Sequence, residues 1–294
     1  MSQNHISILG IVAAVSVALA VSFAGGQGGL VVAGMPLLFA FGLAAFVIQW
    51  IAFIPAYVYQ TEKYFDLMGS VTYLCLAFAA LFFSQREPAA ILVALLVAIW
   101  AARLGTFLFL RVSRVGHDSR FRKIKPDFLQ YMMTWTLQGL WVFLTFAAGL
   151  TALTSSKAYG IDAFVIIGAL LWVIGFTIEV IADNQKTAFR RDPANQDKFI
   201  THGLWAMSRH PNYFGEIMLW TGIAVIAIPA LEGWQYVTLI SPLFVYILLV
   251  KISGVRMLEH SAKRRWGNDE TYIAYRKNTP VLLLNPMSPG KAST

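Results

Sequence analysis

Runs of about twenty apolar residues recur from one end of this 294-residue chain to the other, and no other feature restricts its fold as strongly. In a bilayer every backbone N–H and C=O must find its partner inside the segment, so such runs become helices. We place eight spans, at 6–24, 32–58, 66–83, 89–110, 128–153, 161–182, 213–231 and 234–253. Charged residues make up 13% of the chain, about half of what a water-soluble domain carries. The intervening polar stretches are too short for a separate soluble domain. The expected fold is all-α, a polytopic integral membrane helical bundle of seven to eight transmembrane helices forming one membrane domain over 1–294. The first span is read as a retained helix, not a signal peptide. No Lys or Arg precedes it, and Gly25-Gly26-Gln27-Gly28-Gly29 is a poor cleavage site. Cys75 is the only cysteine, which excludes an intrachain disulfide and a cysteine-based metal site; inside a span, it is expected to be packed.

The charge distribution predicts topology. Segment 111–127 holds six Lys/Arg, segment 183–212 five and the tail from 251 eight, together 19 of the chain's 23. Eight spans put all three segments on one side, and the positive-inside rule makes that side cytoplasmic, with both termini. The opposite connections, near 84–88, 154–160 and 229–233, carry only Arg86 and Lys157. The basic charge is thereby explained by topology, and nothing in the chain resembles a nucleic-acid module. Glycine-rich phosphate loops, metal-ligand clusters and Ser-His-Asp patterns are also absent from the sequence.

Polar residues gather at one boundary. Ser208-Arg209-His210-Pro211-Asn212-Tyr213-Phe214-Gly215-Glu216 lies where a span begins, and Pro211 suits a first helical turn because its missing N–H is an orphan donor there anyway. Asn212 and Glu216 then share a face at i,i+4, with Arg209 and His210 just before the helix start, where backbone N–H groups favour an anion. Glu179 and Asp183 are likewise i,i+4, followed by Lys186 and Arg190 one and two turns on, and Asp192-Pro193 ends the helix. Intrahelical pairing of Asp183 with Lys186 and a line of charges entering a polar pocket are both open readings. Arg103 lies about two turns inside its span, ahead of Arg111 and Arg114, and either faces a cavity or snorkels. The basic loop 116–122 either sets orientation or holds a phosphate-bearing cofactor. Gln60, Glu62, Lys63, Tyr64 and Asp66 form a polar connection that is either a solvated loop or the edge of a substrate cavity. The tail, with Glu259, Trp266, Tyr272, Tyr275 and Arg276, reads as one or more interfacial helices.

Taken together, residues 60–280 resemble a family of bacterial and plant membrane proteins of unknown function related to steroid 5α-reductases. The resemblance rests on Glu179-Val180-Ile181-Ala182-Asp183-Asn184-Gln185, on Gly203-Leu204-Trp205 leading into SRHPNYFGE, on Lys251-Ile252-Ser253-Gly254, and on Glu259, Tyr272 and Tyr275. Residues 1–28 form an extra helix outside it. The resemblance implies an enzyme of the bacterial inner membrane that binds NADPH from the cytosolic side and reduces a conjugated C=C bond of a lipophilic, enone-like substrate drawn from the lipid. It places Arg103, Arg114, Glu179, Asp183, Arg190, Arg209, His210, Asn212, Tyr213, Glu216 and Tyr275 at the cofactor, and Gln60 with Glu62 at the substrate carbonyl. The substrate end departs from the reductase pattern, because Thr61 follows Gln60 and Trp100 stands where a tyrosine acid is expected. Two alternatives stand beside this reading. Isoprenylcysteine carboxyl methyltransferases share the Arg-His-Pro-x-Tyr-x-Gly element and bind S-adenosylmethionine; a non-enzymatic lipid-binding protein with the same fold is the other.

Overall fold

The computed structural model describes residues 2–116 and 121–288. Helices account for nearly all of its regular structure, and eight of them are long and apolar enough to cross a membrane. In order, the α-helices among the described residues are α1 (Gln3–Gly25), α2 (Leu37–Val58), α3 (Phe65–Phe83), α4 (Pro88–Val115), α5 (Phe128–Leu153), α6 (Ala163–Arg191), the short α7 (Leu204–Met207), α8 (Pro211–Ala227), α9 (Ile240–Tyr246), α10 (Gly254–Trp266) and α11 (Glu270–Asn278). The eighth candidate span, Gly233–Trp266, is a composite. It runs through a 3₁₀ segment, α9, a π-helical stretch at Ile247–Ile252 and α10.

The expected spans recur with four main differences, one being the run of the eighth on to Trp266 rather than 253. The second span begins at Leu37 rather than at 32, because Val31–Val32 (β1) and Met35–Pro36 (β2) pair as a two-residue antiparallel ribbon, turned at Ala33 and Gly34 with positive φ. α6 continues nine residues beyond 182, and α4 continues past 110 to Val115. Cys75 is exposed on α3 rather than packed. Residues 117–120 of the basic loop lie outside the described residues.

Two compact units are present. The first comprises the chain up to Ile166 together with Ile223–Ser241. Its axis is α5, in which every residue from Val142 to Leu153 is buried, packed by α1, α2 and α3. One group of polar side chains inside it is matched internally. Gln49, fully buried, donates to the Thr72 hydroxyl at 2.8 Å, and Gln138 donates to Gln49 Oε1 at 3.2 Å and to the Phe65 carbonyl at 2.6 Å. Away from water each such amide would be costly unpaired, so these bonds also fix helix register. Ile6, Leu9, Val12 and Phe23 of α1, by contrast, are exposed, a pattern that suits lipid.

The second unit, Ile167–Gly222 with Pro242 onward, holds α6, most of α8, α10 and α11. α6 and α8 approach through glycines. A Cβ on Gly215 would lie 2.5 Å from the Gly175 carbonyl oxygen and 2.7 Å from the Glu179 nitrogen, and one on Gly222 would lie 2.5 Å from the Gly168 oxygen. Small residues seven apart on both helices let the two backbones touch. This contact brings Glu179 and Asp183 alongside Asn212 and Glu216.

Candidate functional site: a basic, aromatic pocket

Past residue 182 the outer turns of α6 are polar, and the chain then folds back along them. Asp192 caps a single 3₁₀ turn at Pro193–Asn195, accepting from the Ala194 N–H at 2.9 Å. The returning strand-like segment is fixed to α6 at two points. Gln185 Oε1 accepts from the Leu204 N–H at 3.0 Å, and the Trp205 indole donates to the Ala182 carbonyl at 3.0 Å. Gly203, with φ +61°, makes this possible, since a Cβ there would collide with the Gln185 amide. Trp205 then packs with Ala182 and Ile200, and Lys186 lies over its ring at 4.4 Å.

The boundary motif follows. α8 begins at Pro211, as the proline predicts. Ahead of it, Arg209 and His210 both reach Glu259 of α10. Arg209 Nη1 donates to Glu259 Oε2 at 2.6 Å, and His210 Nε2 lies 3.1 Å from Glu259 Oε1. Arg276 of α11 adds a third contact to the same carboxylate, from Nε at 3.2 Å. One carboxylate thus ties three separate stretches of chain. Because a carboxylate only accepts, Nε2 of a neutral His210 carries the proton and Nδ1 the lone pair. Burial lowers the affinity of the His210 imidazole for a second proton, opposed by Glu259 and assisted by Lys186 and Arg209. His210 Nδ1 and Arg209 Nε are both buried with no hydrogen-bond partner among the described residues.

α10 and α11 complete the walls. Arg265 donates to the Gln196 carbonyl at 2.7 Å and to Asp197 at 2.6 Å, and the Trp266 indole donates to the Asp197 carbonyl. Phe199 sits among Trp266, Tyr272 and Tyr275, with ring centroids 5.1–5.7 Å apart. Tyr275 donates its hydroxyl to the Trp205 carbonyl at 2.7 Å, and burial pushes its phenol far above the usual range. These elements enclose a pocket of about 730 Å³. Its lining includes six Lys/Arg (Lys186, Arg190, Arg191, Lys198, Arg209 and Arg265) against two acids, Asp192 and Glu259. The size falls in the range of small-molecule and cofactor sites.

Of the residues expected at a cofactor, Arg190, Arg209, His210 and Tyr275 line this pocket. Behind it, in the same unit, lie Glu179, Asp183, Asn212, Tyr213 and Glu216. Asn212 Nδ2 donates to Asp183 Oδ1 at 3.3 Å, Tyr213 stacks on His210 at 5.7 Å, and the three acids are buried. Arg103 and Arg114 belong to the first unit, where Arg103 packs over Phe107 at 5.0 Å and Arg114 is exposed on the last turn of α4. Gln60 and Glu62 are also in the first unit, with different partners. Gln60, at φ +50°, ends α2 and donates to the Tyr57 carbonyl, whereas buried Glu62 is ion-paired with Lys125. Trp100 is fully buried, edge-on to Tyr73. Lys186, Phe199, Trp205, Arg265 and Trp266 were not singled out as site residues from the sequence. Lys186 stood one turn from Asp183, Trp205 in the Gly203-Leu204-Trp205 element and Trp266 in the interfacial tail; Phe199 and Arg265 had no such signal.

Fold and site define a polytopic helical membrane protein with a cationic, aromatic-walled pocket built at the polar ends of its last helices. The chain belongs to the family described as protein of unknown function (DUF1295), whose model matches residues 52–279 and so takes in every residue of the pocket. Among curated proteins, an 85-residue stretch is 29% identical to the probable O-methyltransferase ustE of Ustilaginoidea virens. That alignment covers 28% of this chain and 30% of the relative, so the chain spans under a third of that protein's length. No solved structure matches.

Proposed function

We propose that the pocket binds NADPH and that the protein is a membrane reductase of a lipophilic substrate with a conjugated C=C bond, in line with the resemblance to steroid 5α-reductases. The charge balance of the lining carries this reading. Six Lys/Arg against two acids suit a polyanion, since guanidinium groups hold phosphates in bidentate fashion. The residues present fit the cofactor. Arg190, Arg191 and Lys198 would hold its phosphates, and Phe199, Trp205 and Trp266 offer flat faces for its rings. NADPH would supply a hydride; the chain's part is to orient it and to exclude water. The topology expected from the positive-inside rule would put this pocket, with the three basic segments, on the cytoplasmic side, where NADPH is supplied.

At the substrate end we assign Gln60, through its amide N–H, and Glu62, through the Lys125 ammonium it positions, to polarising the acceptor. Lys125 holds the Glu62 carboxylate. The expected result is that Glu62→Gln abolishes substrate-dependent NADPH oxidation while NADPH affinity stays within a few-fold of the parent. Parental turnover in that variant removes Glu62 from the chemistry.

A second reading, S-adenosylmethionine-dependent methyl transfer, is favoured by the name of the Ustilaginoidea virens relative. S-adenosylmethionine carries net positive charge, which six basic groups oppose. Thermal unfolding of the detergent-purified protein with NADPH, NADH and S-adenosylmethionine in parallel separates the two. NADPH at about 100 times its Kd should stabilise by ~2.7 kcal/mol, and Arg190→Ala should weaken NADPH binding roughly ten-fold. Stabilisation by S-adenosylmethionine alone would overturn the reductase reading. The same titration of Arg103→Ala and Arg114→Ala measures what the first unit contributes.

A further inference from the structure

The last candidate span ends in α10, and this helix presents two unlike faces. One face walls the basic pocket, through Leu258, Glu259, Ser261, Ala262, Arg265 and Trp266. At about 100° per residue these six fall within roughly 160° of the helix circumference. Arg256, His260, Lys263 and Arg264, spaced i, i+4, i+7 and i+8, fall within about 100° on the opposite side, and all four are exposed. The helix carries one acid, Glu259, and it belongs to the pocket face. The outer stripe is therefore wholly basic.

The two faces also differ in what holds them. Arg265 is paired with Asp197, and Glu259 gathers Arg209, His210 and Arg276. The four outer side chains have no hydrogen bond or ion pair among the described residues. Solvation alone would account for such charges on a water-soluble protein, but the place of this helix in the chain narrows its surroundings. Ser253 alone separates α10 from the π-helical stretch Ile247–Ile252 that closes the apolar run. With Arg256, Glu259, Lys263, Arg264 and Arg265 among its 13 residues, α10 is too polar for hydrocarbon, so the chain leaves the bilayer at its start. Ile252 and Met257 are exposed around that point, and Met257 borders the basic stripe, a combination suited to the headgroup boundary.

We propose that α10 lies along the membrane surface with its outer stripe on the phosphates of anionic phospholipids, and that this contact steadies the pocket wall on its other face. Charge complementarity and continuity with the span carry the proposal. An anionic leaflet attracts each nearby Lys or Arg, and the attraction fades within a Debye length of about 8–10 Å. A helix that starts at headgroup depth and lies flat keeps the whole stripe within that range. Standing upright, it would carry Lys263 and Arg264 about 14 Å away. Glu259 and Arg265 ride on the same helix, so lipid that fixes the outer face also limits how far the inner one can move. A zwitterionic headgroup, with no net charge, exerts no such pull.

The test is the thermal midpoint of the full-length protein in detergent micelles doped with phosphatidylglycerol or, at the same mole fraction, with phosphatidylcholine. Phosphatidylglycerol should raise the parent's midpoint above its phosphatidylcholine value, by an amount that shrinks as salt is added. Arg256→Gln, Lys263→Gln and Arg264→Gln combined should need at least about ten-fold more phosphatidylglycerol for the same rise. All three positions are exposed, so the midpoint of that variant in phosphatidylcholine should stay within a few degrees of the parent. Arg256→Lys with Arg264→Lys keeps the charge and should keep the parental response. Arg190→Gln, in the pocket, should keep it as well, because the lipid is read on the other face. A parent indifferent to phosphatidylglycerol overturns the proposal, and so does a triple variant that responds as the parent does. Loss of the response in Arg190→Gln with the triple variant unaffected also overturns it, by putting the lipid phosphate in the pocket.

Discussion

Gly215→Val should produce a chain that still inserts into the membrane but melts on the order of 10 °C lower and no longer binds ligand at the pocket. The reason is backbone meeting backbone. The nearest atoms to a Cβ at this position are the Gly175 oxygen at 2.5 Å and the Glu179 nitrogen at 2.7 Å, and neither can swing aside as a side chain would. α6 and α8 would have to separate. Overpacking of this kind costs about 1–3 kcal/mol even where side chains relax, and each kcal/mol moves the midpoint of a domain this size by roughly 2–4 °C. Separation would also part Asp183 from Asn212, now 3.3 Å apart, and shift Arg190 against Arg209. Gly160→Ala is the control, because nothing lies within 4 Å of a Cβ there, and its midpoint should be parental. A Gly215→Val protein with parental melting and binding would show that the helix contact is looser than described.

Glu259→Gln is expected to be nearly as damaging, through charge rather than volume. The carboxylate receives Arg209, His210 and Arg276 at 2.6, 3.1 and 3.2 Å. Glutamine removes the negative charge and offers one acceptor where two oxygens now serve. Arg209, 11% exposed and with its Nε already unpartnered among the described residues, would be left as a largely buried cation. Breaking a fully buried pair costs about 3–5 kcal/mol; the partial exposure of Glu259 reduces this to ~2–4 kcal/mol, read as a midpoint lower by roughly 5–10 °C. Arg276→Ala should cost under about 1 kcal/mol, because that side chain is nearly half exposed. Equal effects from the two substitutions would mean that the carboxylate is not the centre of the cluster.

The sequence made the spans legible because membrane helices announce themselves by composition alone. It also placed the start of α8, since Pro211 after a polar turn has few other places to sit. Two boundaries were less legible, for opposite reasons. Val31, Val32 and Met35 are as apolar as a helix, so hydropathy extends the second span over what is a two-residue ribbon. Asp183 to Arg191 are too polar for a span, so hydropathy ends α6 early, although the spacing of Glu179, Asp183, Lys186 and Arg190 already runs at helical period. In the site, the local motif yielded Arg209, His210 and Asn212. It did not yield their convergence on Glu259, 49 residues beyond His210. Phe199 and Trp266 carry no local signature, and Trp205 is marked only as part of Gly203-Leu204-Trp205, because an aromatic side chain reads the same in a core, at an interface or in a pocket wall.

The length of α6 has a kinetic consequence. Its 29 residues rise about 43 Å, whereas the hydrocarbon layer is ~30 Å thick, so its charged last turns stand in water while its first turns stand in lipid. A ligand of the cationic pocket therefore obeys solution rules. Its occupancy follows bulk concentration, and its association slows as added salt shortens the screening length below about 10 Å. A compound that reaches the apolar turns of the same helix is counted instead by its mole fraction in the bilayer or micelle. Adding empty detergent dilutes the second without touching the first. Assays of the proposed reductase accordingly have two concentration scales, and a Michaelis constant for its lipophilic reactant acquires meaning only when the amount of lipid phase is stated.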